Sequence, residues 1–229
     1  MRILALDAAL ARCSAAVVVD GALAAHAATP GARGQGALLA PMAEQVLAGA
    51  GLAATALDGI AVTIGPGSFA GLRAALSLAH GIALAAGCRL VGVRVAEALG
   101  AAVAVPPGRA LWVAIDSRRG RVFLDRGGTI AGFALDALPR PAGPVALAGD
   151  AATEVATRLA ARGHDVMLTD VRLPDAAFVA LVGARRLAGM LPPLEAQPLY
   201  IDAPEAKLPA GGLRPPPAPF SPAPSTPAP

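Results

Sequence analysis

Residues 60–73 read IAVTIGPGSFAGLR: a strand-like run, a glycine-rich turn and the start of a helix. Junctions of this kind do one of two things. Their free backbone N–H groups hold a phosphate, or a serine in the turn is lifted into solvent as a nucleophile. A phosphate loop of the G-x-x-x-x-G-K-[ST] type fails here, because Ala70 stands where its second glycine belongs and the single lysine is Lys207. The dinucleotide fingerprint G-x-G-x-x-G also fails, since Gly65, Gly67 and Gly71 are spaced one residue too widely. A nucleophile elbow needs glycine two residues either side of its serine, where Ser68 has Pro66 and Ala70. Two readings stay open: an anion held on the N–H groups from Ser68 to Leu72, or a plain joint in which Ser68 caps the following helix.

The second candidates are two carboxylates, Asp7 and Asp116, each closing an apolar strand-like run. Such groups can hold Mg²⁺ through phosphate oxygens, but neither has a neighbouring lysine or a second carboxylate. Turn-capping is the favoured role. His26, His80 and His164 are far apart and match no zinc-binding spacing. Cys13 and Cys88 cannot build a disulfide framework and read as buried thiols. No metal or cofactor is expected.

The elements that must position these residues follow from pattern. Residues 2–7 form a strand, and residues 13–26 form two strands joined at Asp20-Gly21, a hairpin signal. Residues 34–52 carry apolar side chains at 38, 39, 42, 46 and 47, a helical spacing in which Pro41 must sit in the first turn or kink the helix. Residues 59–64 form a buried strand. A helix follows from about Gly71 to Ala86, ended by Gly87, and residues 89–93 form another strand. Along this helix Leu72, Leu76, Ala79 and Ala83 make one stripe, and Arg73, Ser77, His80, Gly81 and Leu84 make another. A helix apolar nearly all round must be covered on two sides, so the second stripe is either a subunit interface or buried within the chain.

Residues 110–128 repeat the opening: strand, Asp116, tight turn, strand, Gly-Gly turn. The repeat suggests two related lobes. Residues 144–150 and 165–170 read as strands, and 151–163 and 176–190 as helices with arginine on the outer face. The organisation expected is one lobe over 1–100, a second over 101–208, and a Pro- and Ala-rich tail over 209–229 that cannot bury enough surface to fold.

The chain has 229 residues, 55% hydrophobic and only 3% aromatic, enough apolar material for a sizeable core. A formal net charge of +3, with its bases spread along the chain, does not make a nucleic-acid surface, which clusters bases and interleaves aromatics. The start reaches Asp7 before any useful apolar run, so no signal peptide is expected. The apolar stretch 74–87 falls short of the ~18–20 residues of a membrane span. A cytoplasmic protein with no membrane partner is the default.

Three segments, RILALDAALARCSAAVVVDG (2–21), GPGSFAGLR (65–73) and PLYIDAPEAK (198–207), together resemble the TsaB family. Its members are accessory proteins in making N6-threonylcarbamoyladenosine (t6A) in tRNA. The resemblance implies an α/β, two-lobed, actin-like and Hsp70-like (ribonuclease H-like) fold with each lobe opened by a β-hairpin. It implies a non-catalytic scaffold that activates a TsaD-type transferase, with a TsaE-type ATPase completing the complex, tRNA met only through that complex, and a homodimer when alone. The partner surface it implies lies on helices of the first lobe, at Met42, Val46, Arg73, Ser77, His80, Gly81 and Leu84. The sequence departs from the family at Ala70 (usually Thr), at Gln35 and Ala37 (usually His and Glu), at Ala8 (usually Thr), and at Ile201-Asp202 (usually Leu-Arg). The rival reading is a stand-alone enzyme of the same fold. A kinase or ATPase would need phosphate-loop glycines after Asp7, and a metallopeptidase would need clustered His or Glu.

Overall fold

The computed structural model describes residues 1–31 and 34–201. The expected tail at 209–229, and residues 202–208 of the second lobe, lie outside the described residues.

The chain opens with β1 (Arg2–Asp7), β2 (Arg12–Val19) and β3 (Ala22–Pro30), an antiparallel set. Asp20 and Gly21 both have positive φ, 49° and 85°, which is what a two-residue turn between right-twisted strands requires. Helix α1 (Gln35–Gly49), β4 (Gly59–Gly65), α2 (Phe69–Ala86) and β5 (Arg89–Arg94) follow. Strands β4 and β5 join in parallel, giving the order β3-β2-β1-β4-β5. After α3 (Val95–Ala102), the strands β6 (Ala110–Asp116), β7 (Arg121–Arg126), β8 (Thr129–Ala134), β9 (Val145–Ala148) and β10 (Val166–Leu168) build a second sheet. Its order, β8-β7-β6-β9-β10, is that of the first sheet, with β6 in the place of β1. The duplication is the actin-like arrangement, and it puts Asp7 and Asp116 at equivalent strand ends.

The central strand β1 is buried on both faces, so its alternation divides two cores. Leu4 and Leu6 face α1 and α2 and meet Leu39, Met42, Val46, Leu76 and Ala79. Ile3 and Ala5 face the other way, against Val179 and Ala180 of α5 (Ala176–Leu187). Each fully buried leucine, isoleucine or valine among them contributes roughly 1.5–3 kcal/mol, and each alanine less. The second sheet has its own core, where Leu124 and Leu147 pack on Val155 and Leu159 of α4 (Ala152–Ala161).

The structure differs from the sequence expectations at four points. Helix α5 returns to the first sheet and packs on β1, β2 and β4, so a division near residue 100 describes the sheets but not the helices. Helix α3, absent from the expected elements, links the two sheets. Pro41 lies in the second turn of α1. It is exposed there, as is Ala37, whose carbonyl loses a donor to the proline, so water can replace that bond. Helix α2 begins at Phe69 and runs 18 residues, long and apolar enough to meet the minimum for a membrane span. It is nevertheless one-sided, burying Leu72, Ala75, Leu76, Ala79 and Ala83 on the sheet and exposing Arg73 and His80.

Candidate functional site

The glycine turn is filled by the protein itself. A β-carbon on Gly67 would come within 2.2 Å of the Ala9 carbonyl oxygen, which accepts the Ser68 N–H at 2.7 Å. Gly65 has φ 115°, and a β-carbon there would meet Leu72 at 3.1 Å and the Leu199 carbonyl at 3.2 Å. Ser68 caps α2, its Oγ accepting the Gly71 N–H at 3.3 Å. Two donors that an anion would need, those of Ser68 and Gly71, are therefore committed to protein oxygens. Pro66 completes the turn between Gly65 and Gly67.

That contact seats the first hairpin turn in the crevice at the carboxyl ends of the strands, where open α/β sheets take ligands. Ala9 and Leu10 pack there with Leu72, Val95, Leu99, Val113 and Ile115, and Ala9 and Leu10 are 0% and 5% exposed. The crevice is sealed at this point by apolar side chains from both sheets.

The two strand-end carboxylates differ although their sequence settings match. Asp7 is wholly buried. Its Oδ1 accepts the Thr63 hydroxyl at 2.7 Å and the Ala9 N–H at 3.2 Å, while Oδ2 is buried with no hydrogen-bond partner. Burial pushes its carboxyl up to about 6, against the pull of those two hydrogen bonds, with Asp175 raising it a little and Arg12 lowering it. Asp116 is partly exposed, accepts the Arg118 N–H at 2.7 Å and lies 3.5 Å from the Arg118 guanidinium. Its own N–H donates to Asp150 at 2.9 Å. Both therefore cap turns, but only Asp7 does so without water.

The histidines are apart. His26 meets Asp175 at 2.8 Å, and His80 Nε2 lies 2.9 Å from the Ala196 carbonyl. Among the described residues no three His, Cys, Asp or Glu side chains gather as a metal site. Cys13 is buried and Cys88 half-buried, and burial raises the pKa of both thiols, Cys13 to about 11.

One face of α2 is open to solvent. Arg73, Ser77, His80, Gly81 and Leu84 are all exposed, Leu84 at 87%. The stripe begins at Phe69, 58% exposed, with the Arg73 guanidinium 3.9 Å over its ring and the Tyr200 ring 6.2 Å away. Met42 and Val46, expected on a partner surface, are instead 8% and 1% exposed. They lie one helical turn apart on the side of α1 that carries Leu39, and that side faces the sheet. Sequence reasoning missed Phe69 and Tyr200. Phe69 stands four residues before Arg73, so helical spacing alone would have put it on the same face.

A model of the TsaD family, described as tRNA N6-adenosine threonylcarbamoyltransferase, matches residues 32–170. The tRNA threonylcarbamoyladenosine biosynthesis protein TsaB of Escherichia coli is 35% identical over 125 residues, which is 54% of this chain and 53% of that protein. A tRNA N6-adenosine threonylcarbamoyltransferase of Cereibacter sphaeroides is 45% identical over 82 residues, 33% of this chain and 22% of that protein. The chain thus spans about half the length of the TsaB relative it matches, and less of the transferase. Among solved structures, YeaZ from Pseudomonas aeruginosa aligns with a TM-score of 0.72 at 27% identity, over 87% of this chain and 99% of that one.

Proposed function

We propose that this chain, which belongs to the TsaD family and is similar to TsaB, serves t6A biosynthesis as a non-catalytic subunit that binds and activates a TsaD-type transferase. The observation that carries this reading is a contrast within the first lobe. The ligand crevice of the fold is sealed by Ala9, Leu10, Leu72 and Ile115, whereas α2 leaves Phe69 and Leu84 bare to solvent. Chemistry needs an open site, and association needs an exposed apolar one.

In this reading the partner meets α2 along Phe69, Arg73, Ser77, His80, Gly81 and Leu84. Large apolar side chains at 69 and 84 anchor it. Gly81 is exposed with open space around it, so a partner backbone can approach closely there. The glycine turn sets the pose of this helix by fixing its first turn on Ala9. A TsaE-type ATPase joins the same cytoplasmic assembly, and tRNA reaches it through the transferase. Alone, the chain pairs with a second copy through the same face.

An enzyme of the same fold would act in the crevice, where Asp7 Oδ2 is buried without a hydrogen-bond partner and Ala9, Leu10, Leu72 and Ile115 pack closely together. The test is mixing with the TsaD-type transferase of the same organism, followed by size-exclusion with light scattering. A heteromeric peak abolished by Leu84→Asp supports the reading. Loss of t6A on deleting this chain while the transferase is intact gives the cellular counterpart, and unchanged t6A contradicts it.

A further inference from the structure

We propose that a pocket beside the second crossing between the sheets binds a free apolar α-amino acid as its zwitterion. The chain passes between the two sheets twice, through α3 and again along residues 169–175. A pocket of about 300 Å³ lies where the end of α3 meets that second crossing, lined by Arg12, Ala102, Asp170, Arg172, Leu173 and Phe178 among others. Its size is at the small end of the range for ligand sites. The backbone beneath it is fixed in advance. The Thr169 N–H donates to the Leu147 carbonyl at 3.0 Å and the Gly149 N–H to the Val171 carbonyl at 2.9 Å, and Val171 and Leu173 pack against the crevice cluster. A ligand entering here meets groups already in place, so little ordering opposes binding.

The charges around the pocket fall into two pairs. Arg12 and Asp175 are engaged within the protein: Arg12 donates to the Pro174 carbonyl at 3.4 Å and meets Asp175 at 3.3 Å, and Asp175 also meets His26 at 2.8 Å and caps α5. Arg172 and Asp170 are not. The Arg172 guanidinium is held by the Thr169 carbonyl and makes no ion pair among the described residues. The Asp170 carboxylate has neither hydrogen bond nor ion pair among them. One pocket thus offers an uncompensated cation and an uncompensated anion, and the rest of its wall is apolar at Ala102, Val171, Leu173 and Phe178. A simple anion would suit Arg172 but be repelled by Asp170, and a simple cation the reverse. A molecule carrying both charges makes a charge-assisted hydrogen bond to each. An α-amino acid places its carboxylate on Arg172, its ammonium on Asp170 and an aliphatic side chain on Leu173 and Phe178.

Nothing in this site depends on the partner of α2, so the experiment uses the full chain alone. L-Leucine is titrated by calorimetry, beside glycine, N-acetyl-L-leucine, which lacks the ammonium, and isoamylamine, which lacks the carboxylate. The expected result is one leucine site whose filling raises the melting temperature, with each comparison compound at least about tenfold weaker. Asp170→Asn changes an exposed group without polar contacts, so its fold is kept. It should weaken leucine about tenfold and leave N-acetyl-L-leucine unchanged. Arg172→Gln should weaken both. No leucine binding by the parent up to the solubility limit overturns the proposal, as does leucine binding that either variant leaves unchanged. Glycine binding as tightly as leucine overturns the role of the apolar wall.

Discussion

Gly67 lies so close to Ala9 that a β-carbon on it would stand 2.2 Å from the Ala9 carbonyl oxygen, and Ser68 donates its N–H to that same oxygen. The signature turn and the first hairpin turn thus form one joint, which orients α2 and closes the crevice. Gly67→Ala pushes a methyl into backbone that cannot step aside, and should cost about 3 kcal/mol. Gly81→Ala, in the open on the same helix, should instead stabilise by about 0.5–1 kcal/mol through helix propensity. Urea unfolding of the two variants measures both.

Asp7 makes stability depend on pH. Its folded-state pKa, about 6, lies above the ordinary value of 3.8, so the folded protein holds a proton that the unfolded chain has released. The contribution of Asp7 is full below about pH 4 and is lost as pH rises through 6. Asp7→Asn keeps the Thr63 hydrogen bond without the buried charge. It should be more stable than the parent by about 1–3 kcal/mol at pH 8, with the difference vanishing at pH 4. Thermal melts across that range decide it, and a variant less stable at pH 8 contradicts this account of Asp7.

Arg186 ties three elements together. Its guanidinium donates to the Gly92 carbonyl at 2.8 Å, to the Pro192 carbonyl at 2.8 Å and to Glu97 at 2.6 Å, and only 7% of the residue is exposed. Glu97 also accepts the Arg94 N–H, and Arg94 reaches the Gly128 carbonyl of the second sheet at 2.9 Å. Glu97→Gln leaves a buried cation without its counter-charge and should cost about 3 kcal/mol. Arg186→Met should cost more, because two carbonyls are stranded as well. Chemical denaturation orders the pair.

Much of this architecture is legible in the sequence because its signals are local. Asp20-Gly21 and Gly127-Gly128 mark hairpin turns whatever surrounds them, and Gly87 ends α2 with φ 64°. Destinations are harder. The pattern of α5 says that it has an apolar face, but both sheets offer a surface to receive it, and only the packed fold chooses the first. Helix α3 has eight residues, too few to display a period. Met42 and Val46 show why apolar spacing alone does not separate core from interface, since both demand the same residues. The contrast between Asp7 and Asp116 depends on Thr63 from β4 and on Leu72, Val95, Leu99 and Ile115, which pack around Leu10, and all of these are far from Asp7 in sequence.

Phe69 and Leu84 anchor the two ends of the proposed association face. Leu84→Asp should leave unfolding free energy within about 0.5 kcal/mol, because the side chain is 87% exposed. Phe69→Ala loses its contacts with Arg73 and Tyr200, so a modest stability loss accompanies any loss of association. Comparing unfolding with self-association by analytical ultracentrifugation separates the two effects.

The most direct test is light scattering of the chain mixed with the TsaD-type transferase, alone and with TsaE-type ATPase and ATP. The account predicts a stable heteromeric peak with the parent chain and with Asp7→Asn, and at least tenfold weaker association with Leu84→Asp. Failure of the parent to associate under either condition, or association unaffected by Leu84→Asp but lost with Asp7→Asn, contradicts the account and moves the function into the crevice.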